Sequence, residues 1–425
     1  MKNLISILLI SIPALLFSQR AFKDKQWYED LDFMIARLES IHPNLYVNID
    51  KKRLYEERDK LKEKIPELSD DEIIVELLKI VTKVKDGHTR LHGKRLTKTW
   101  YPIRIERFSD GYFITAIDKE HKLFVGSKVK TINGLAVEEV FKLLYDITPH
   151  DNDYGQEYFA PMYLSMSSIV RGLHLTVSSN KNLILVMENN NKEIVLSQIE
   201  FTTGDDLGWY WSEYAVPTTD YYSILKADTI LPIYLQNYHK PYWFKSLNEK
   251  TLYFAFNECK NDNEENFEDF NKKLWNTIDL LNIEYLIIDL RNNFGGTNSI
   301  LEPLIHEIIK HDKINQKGNL FVITGKKTFS AALHCATWIE FHCNPTFVGE
   351  PTGAAPNHYA DPDFSFLPNS KILLMVSKYY WQNTWPWDTR EFIEPELKVN
   401  ISSEDYFNYK DPAIDEIYKF IDRNE

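Results

Sequence analysis

From Thr251 onward the sequence alternates short unbroken apolar runs with longer stretches whose apolar residues recur every three or four positions, and few folds accommodate that order. Thr251–Phe256 is a strand candidate, Phe267–Leu281 has helical spacing, and Tyr285–Leu290 reads as a buried strand. A helix over Ile300–Lys310, a strand over Leu320–Thr324 and a helix opening near Ser330 follow. Strands that alternate with helices imply an α/β core.

Upstream the pattern differs. From Trp27 to about Val84 the apolar residues fall at helical spacing, as in Leu31, Phe33, Met34 and Leu38 and then Ile73, Leu77, Leu78 and Val81, which predicts a small helical bundle. Ser69 offers its last helix an N-cap, and Asp70 and Asp71 an acidic first turn. From Tyr101 to about Ile199, short β-like runs are punctuated by the turn signals Asp110-Gly111, Asn133-Gly134 and Asn189 to Asn191, which predicts a mainly β module. Within it, Val125 to Val140 resembles the strand, turn and short helix of PDZ-like modules, which can take a chain terminus by adding a strand to a sheet edge. An aromatic stretch around Trp209 to Tyr222 has little pattern.

Residues 1–18 read as a signal peptide, with Lys2 as its positive region, Leu4 to Phe17 as its apolar run and Ser18 at the cleavage position. A retained anchor is the competing reading, but that run is shorter than the roughly 20 apolar residues that cross a bilayer, and no later segment comes closer. The expected layout is residues 1–18 signal peptide, 19–97 helical bundle, 98–200 β-rich PDZ-like module and 201–425 α/β core. The mature chain, with no membrane span, is then periplasmic or secreted. A net charge of -13, with no concentrated Lys/Arg stripe, argues against nucleic acid as a partner. Three cysteines, Cys259, Cys335 and Cys343, are too few for a disulfide scaffold. His306 and His311, five apart, are rotated about 140° from one another on a helix, so they present no shared zinc face. The expectation is no metal and no cofactor.

Four short stretches stand out in order along the chain: DGHT (Asp86 to Thr89), IIDLRNNFGG (Ile287 to Gly296), TFSAA (Thr328 to Ala332) and GEPTGAAPN (Gly349 to Asn357). Ser330 stands after a strand and a turn at the start of a helix, where backbone N–H groups lack intrahelical partners and can meet an oxyanion. The Ala331 N–H is one such donor, and the paired glycines of NNFGG, which let backbone approach a substrate closely, are the best source of a second. Read alone, Ser330 is equally a helix cap, His88 a loop histidine and the glycines turn formers.

In this order, and with IEPE (Ile393 to Glu396) as a fifth stretch, the motifs resemble the tail-specific (C-terminal processing) serine peptidase family from Asp86 to about Asp415. The resemblance implies a ClpP/crotonase-like peptidase core, with Ser330 as nucleophile and Gly296, or in reserve Gly295, as the second oxyanion donor. The family divides between a Ser–Lys dyad and a Ser–His–acid triad in its tricorn-like branch. No lysine follows GEPTG until Lys371, whereas His88 matches the triad histidine, so the triad branch is favoured. The third member falls among Asp388, Glu391 and Glu394; Asp388, in a Trp- and Pro-rich loop, is the choice, with Glu391 as the alternative. Arg291, Asn292, Glu350 and Thr352 are expected to brace the site. The expected function is an exported serine peptidase acting on peptides or proteins. The competing class is a catalytically silent binding protein on the same scaffold, for apolar ligands or peptides.

Overall fold

A computed structural model describes residues 23–92, 95–176, 181–189, 191–200, 221–224 and 230–424. The expected signal peptide lies outside those residues, as does most of the aromatic stretch after Trp209. The described chain opens with helices α1 (23–41), α2 (Lys51–Lys64) and α3 (Asp70–Thr82). Ser69 closes a capping box on α3, its hydroxyl accepting from the Glu72 N–H at 3.3 Å while the Glu72 carboxylate accepts from the Ser69 N–H at 2.7 Å. Ile73, Leu77, Leu78 and Val81 are all buried, as their spacing requires.

The chain continues through β1 (Arg90–His92), β2 (Thr99–Trp100), β3 (Ile103–Phe108), β4 (Gly111–Asp118), β5 (Val129–Ile132) and β6 (Leu135–Ala136). Helices α4 (Val137–Tyr145), α5 (Asp153–Leu164) and α6 (Ser167–Gly172) intervene before β7 (Leu183–Met187), β8 (Glu193–Leu196), β9 (Ile199–Glu200) and β10 (Tyr221–Ser223). Asn133 and Gly134, both at positive φ, form the two-residue turn between β5 and β6. The helical content exceeds the mainly β expectation. Helix α5 carries Gly155 and Pro161, both poor helix formers, and Gly155 is there for contact: a Cβ on it would lie 2.2 Å from the Gly353 carbonyl oxygen. One apolar cluster runs from Trp27 to Leu196 and takes in Leu367, Ile372, Leu374 and Val376, so the N-terminal helices and the strands that follow share a core.

The remaining elements are β11 (Tyr242–Ser246), β12 (Thr251–Phe256), α7 (Phe267–Leu280), β13 (Tyr285–Asp289), α8 (Glu302–Lys310), β14 (Leu320–Thr324), α9 (Ala331–His342) and β15 (Thr346–Gly349). After them come β16 (His358–Phe366), β17 (Leu373–Trp381), β18 (Leu397–Lys398), α10 (Ser403–Phe407) and α11 (Pro412–Asn424). The sheet order is β11-β12-β13-β14-β15-β18, parallel except for β11. Its strands are apolar on both faces because both are covered. Leu252, Phe254, Leu286, Ile288 and Val322 pack against α7, α8 and α9. Tyr253, Ala255, Ile287, Phe321 and Ile323, from the alternate positions, pack with Ala413, Ile414 and Ile417 of α11. Each such fully buried apolar side chain contributes roughly 1.5–3 kcal/mol. Strand β17 also pairs with β1, which brings the end of the DGHT segment beside the β16–β17 hairpin.

Candidate active site

The loop after β14 delivers Ser330 to the first turn of α9. Thr328 fixes that loop: its hydroxyl donates to the Leu290 carbonyl at 2.9 Å and accepts from the Gly325 N–H at 3.1 Å. The Phe329 N–H reaches the Asn293 carbonyl at 3.3 Å, and the Gly353 N–H reaches the Thr328 carbonyl at 3.2 Å. The loop is therefore pinned between the IIDLRNNFGG and GEPTG segments. Ser330 itself sits at φ 51° and ψ −128°, a backbone region costly for a residue with a Cβ. Such a sharp strand-to-helix turn is what a Gly-x-Ser-x-Gly motif would have announced; here it is reached with Thr328 and Ala332 in place of those glycines.

Backbone donors gather around this residue. The Ala332 N–H is taken by the Phe329 carbonyl at 3.1 Å and the Leu333 and His334 N–H groups by the Ser330 carbonyl, while the Ala331 N–H finds no acceptor in the turn before the helix among the described residues. Gly295 lies flush against it, since a Cβ there would sit 2.7 Å from Ser330 Cβ and 2.9 Å from Ala331 N. Its own N–H is committed to Asn293 Oδ1 at 2.9 Å, and its carbonyl accepts from the Cys259 N–H at 2.8 Å. Gly296, at φ 131°, passes so close to the Cys259 carbonyl that a Cβ would lie 2.3 Å from it.

His88 is buried, and its ring stacks on Phe329, the residue before Ser330, with centroids 4.4 Å apart. The ring of His358, at the start of β16, lies parallel to it at 5.9 Å. No well-formed hydrogen bond reaches either imidazole nitrogen of His88 among the described residues, although the Tyr359 backbone lies close enough to favour the protonated ring. Burial drives its pKa down to about 3, opposed chiefly by the charge of Asp86. His334, one turn into α9, is driven to about 2 by burial and then by the neighbouring His358. The structure thus gathers Ser330, Ala331, Gly295, Gly296 and His88 in one place.

Asp388 stands apart from the imidazole. Its carboxylate is taken by Arg390, with Nη2 at 2.7 Å and Nε at 3.0 Å, and Arg390 in turn grips Glu340 of α9 at 2.7 and 2.8 Å. The Arg390 contact holds its carboxyl below the ordinary value. Glu391 and Glu394 are exposed, and Glu394 pairs with Lys398.

The supporting residues are tied into the frame. Arg291, buried at the end of β13, donates to Asp289 at 2.8 Å and forms a two-pronged pair with Asp411 at 2.8 and 2.9 Å. Asn292 holds the Tyr234 carbonyl at 2.7 Å, and Glu350 is 3.5 Å from the half-buried Lys326. Thr352 donates to the Ala354 carbonyl and accepts from the Ile393 N–H, both at 2.9 Å, which ties GEPTG to IEPE. A cavity of about 130 Å³, bounded by Arg107, Tyr158, Asn292, Thr324 and Lys326, lies behind the loop, and neither Ser330 nor His88 lines it.

Sequence reasoning passed over Asp86, His42, Asp151, Asn293 and His358. Asp86 and Asn293 were inside quoted motifs and could have been weighed as polar groups fated for burial. His42, Asp151 and His358 carry no local signal, because only the fold brings them to the turn of Asp86, Gly87 and His88.

No family model matches the chain, and no curated protein matches it. Among solved structures, mature CPAF complexed with lactacystin is 14% identical and superposes with a TM-score of 0.62 over 94% of this chain and 97% of that one. Mature CPAF alone gives 14% identity and a TM-score of 0.64 over 94% and 98%. The photosystem II D1 C-terminal processing protease is 12% identical, with a TM-score of 0.40 over 91% and 98%. With CPAF the chain shares a mixed α/β fold across nearly the whole of both chains.

Proposed function

We propose that this chain is an exported serine peptidase that hydrolyses peptide bonds in peptides or proteins, with Ser330 as nucleophile and His88 as its base. The observation that carries the reading is the strained Ser330 at a helix start, beside the uncommitted Ala331 N–H and under a buried imidazole stacked on Phe329. His88 takes the hydroxyl proton as Ser330 Oγ bonds to the substrate carbonyl carbon, and the resulting oxyanion accepts from the Ala331 and Gly296 N–H groups. Gly295, whose N–H is held by Asn293, is the reserve donor. The proton passes to the leaving amine, and water then releases the acyl group by the same steps in reverse. Hydrogen bonds between nucleophile and base often tighten only in the substrate complex, which accommodates an imidazole without a well-formed hydrogen bond in the free enzyme. Asp388 is the acid of the proposed triad, and to orient His88 it has to exchange Arg390 for the imidazole.

Arg291, Asn292, Glu350 and Thr352 hold the loops, and the reaction as written uses no metal or organic cofactor. The reading extends to the architecture: residues 1–18 a signal peptide, 19–97 a helical bundle, 98–200 a PDZ-like module that takes a chain terminus, and 201–425 a ClpP/crotonase-like core. The CPAF fold supports the peptidase class.

Labelling the purified mature chain with a fluorophosphonate, with the adduct located by mass spectrometry, tests it. Modification at Ser330 that Ser330→Ala and His88→Ala both abolish is the expected result. Folded wild type that stays unmodified over a range of pH would mean a silent binding protein.

A further inference from the structure

An imidazole that accepts a proton in a buried site needs an anion, and the groups around His88 differ sharply in what they offer. Arg90, two residues on, and His358, from β16, both oppose a positive ring. Phe329 covers one face. Asp151, from the loop before α5, reaches within 2.8 Å of where a Cβ on Gly87 would be, and one of its carboxylate oxygens is buried without a hydrogen-bond partner among the described residues. Burial and then the charge of Asp86 push the Asp151 carboxyl well above its ordinary range, so its surroundings disfavour the charged form. Asp388 is engaged with Arg390.

Asp86 is different. Its carboxylate is buried, yet both oxygens are held in place. Oδ1 accepts from the backbone N–H of His88 at 2.9 Å. Oδ2 accepts from the Thr89 hydroxyl at 2.5 Å and lies 3.4 Å from His42 Nε2. Thr89 Oγ1 is anchored in turn by the Ser377 N–H of β17 at 3.0 Å. Burial alone would raise Asp86, but His42, His88 and the hydroxyl contacts outweigh it and hold the carboxyl at about 2.

We infer that Asp86 is a positioning residue of the proposed reaction: a fixed buried carboxylate, backed by His42 and Thr89, whose charge stabilises the His88 imidazolium as Ser330 gives up its proton. The inference rests on the serine peptidase reading for its reaction but not for its electrostatics. Asp86 makes no bond to the ring; it fixes the turn that carries the ring and supplies the negative charge that a preorganised site has ready before reaction.

The test measures two quantities against pH from about 2 to 8 in wild type, Asp86→Asn, Asp86→Glu and Asp151→Asn, using full mature chains. One is the rate of fluorophosphonate labelling at Ser330, a step in which Oγ bonds to phosphorus, fluoride leaves and His88 takes the proton. The other is the NMR titration of the His88 ring, assigned with His88→Gln. The inference expects D86N to label at least about tenfold slower on its plateau, with the acid limb and the ring titration both moving to lower pH. A merely structural Asp86 gives the opposite sign: the loosened turn admits water, and the imidazole rises toward its ordinary value of about 6.5, which overturns the inference. If D86N does not fold, D86E decides, because it keeps the charge; the limb stays within about half a unit of wild type, and a rise refutes the claim. D151N, which removes a carboxyl whose charged form the site disfavours, labels within about twofold of wild type; a loss as large as in D86N would assign the role to the pair and overturn the claim for Asp86. Wild type that never labels removes the peptidase reading, whereas the ring titrations still judge the pairing of Asp86 with His88.

Discussion

Replacing Gly295 by alanine is the sharpest test of how the site is built. Gly295 lies at φ 111°, and a Cβ there would meet Ser330 Cβ at 2.7 Å, Ala331 N at 2.9 Å and the Phe329 carbonyl oxygen at 3.0 Å. Two of those three atoms are backbone, so the clash cannot be relieved by turning a side chain. The strained φ costs of order 1–3 kcal/mol, and forcing an extra carbon into packed surroundings costs about 1–3 kcal/mol more. G295A should therefore lose roughly 2–6 kcal/mol in urea denaturation and, because the start of α9 has to shift, about a hundredfold in labelling rate at Ser330. Gly134→Ala is the matched control: it also has positive φ, 85°, but open space around its Cβ. It should cost only about 1 kcal/mol and leave labelling unchanged. G295A that matches G134A in both measurements would refute the packing argument.

Further outcomes follow from the same frame. Ser330→Gly relieves the φ 51° strain, so it should raise stability by about 1 kcal/mol in urea while abolishing labelling. Arg291→Ala leaves Asp289 and Asp411 buried without their cation and should cost about 3–5 kcal/mol, seen as a lower denaturation midpoint. His88, held near 3 in the folded chain, refuses a proton that the unfolded chain accepts below about 6.5, so stability falls as pH drops from 6.5 toward 3. His88→Gln should flatten that part of the stability profile by a few kcal/mol, measured by urea denaturation at each pH. Asp86, lowered from 3.8 to about 2, contributes stability present above 3.8 and lost as pH falls through 2; Asp86→Asn removes that final drop, of order 2 kcal/mol.

The α/β core could be read from sequence almost residue by residue. Thr251–Phe256 and Leu320–Thr324 are strands with the predicted bounds, and Phe267–Leu280 and Glu302–Lys310 are helices within two residues of them. These segments are buried on a repeating period, and a period is a local property. Helices α5 and α6 were not legible, because Gly155, Pro161 and Gly172 answer to neighbours rather than to helix propensity: a Cβ on Gly172 would lie 2.3 Å from the Asp71 carbonyl oxygen. Motif order marked Ser330, Ala331, Gly295, Gly296 and His88 as a set. What surrounds them was decided by packing alone: β17 beside β1 brings His358 against His88, the loop before α5 brings Asp151 under Gly87, and α1 leads into the turn that sets His42 behind Asp86. A sequence records which side chains can carry charge, but which of them lose water together is a property of the folded chain, and that loss sets the protonation of His88, Asp86 and Asp151.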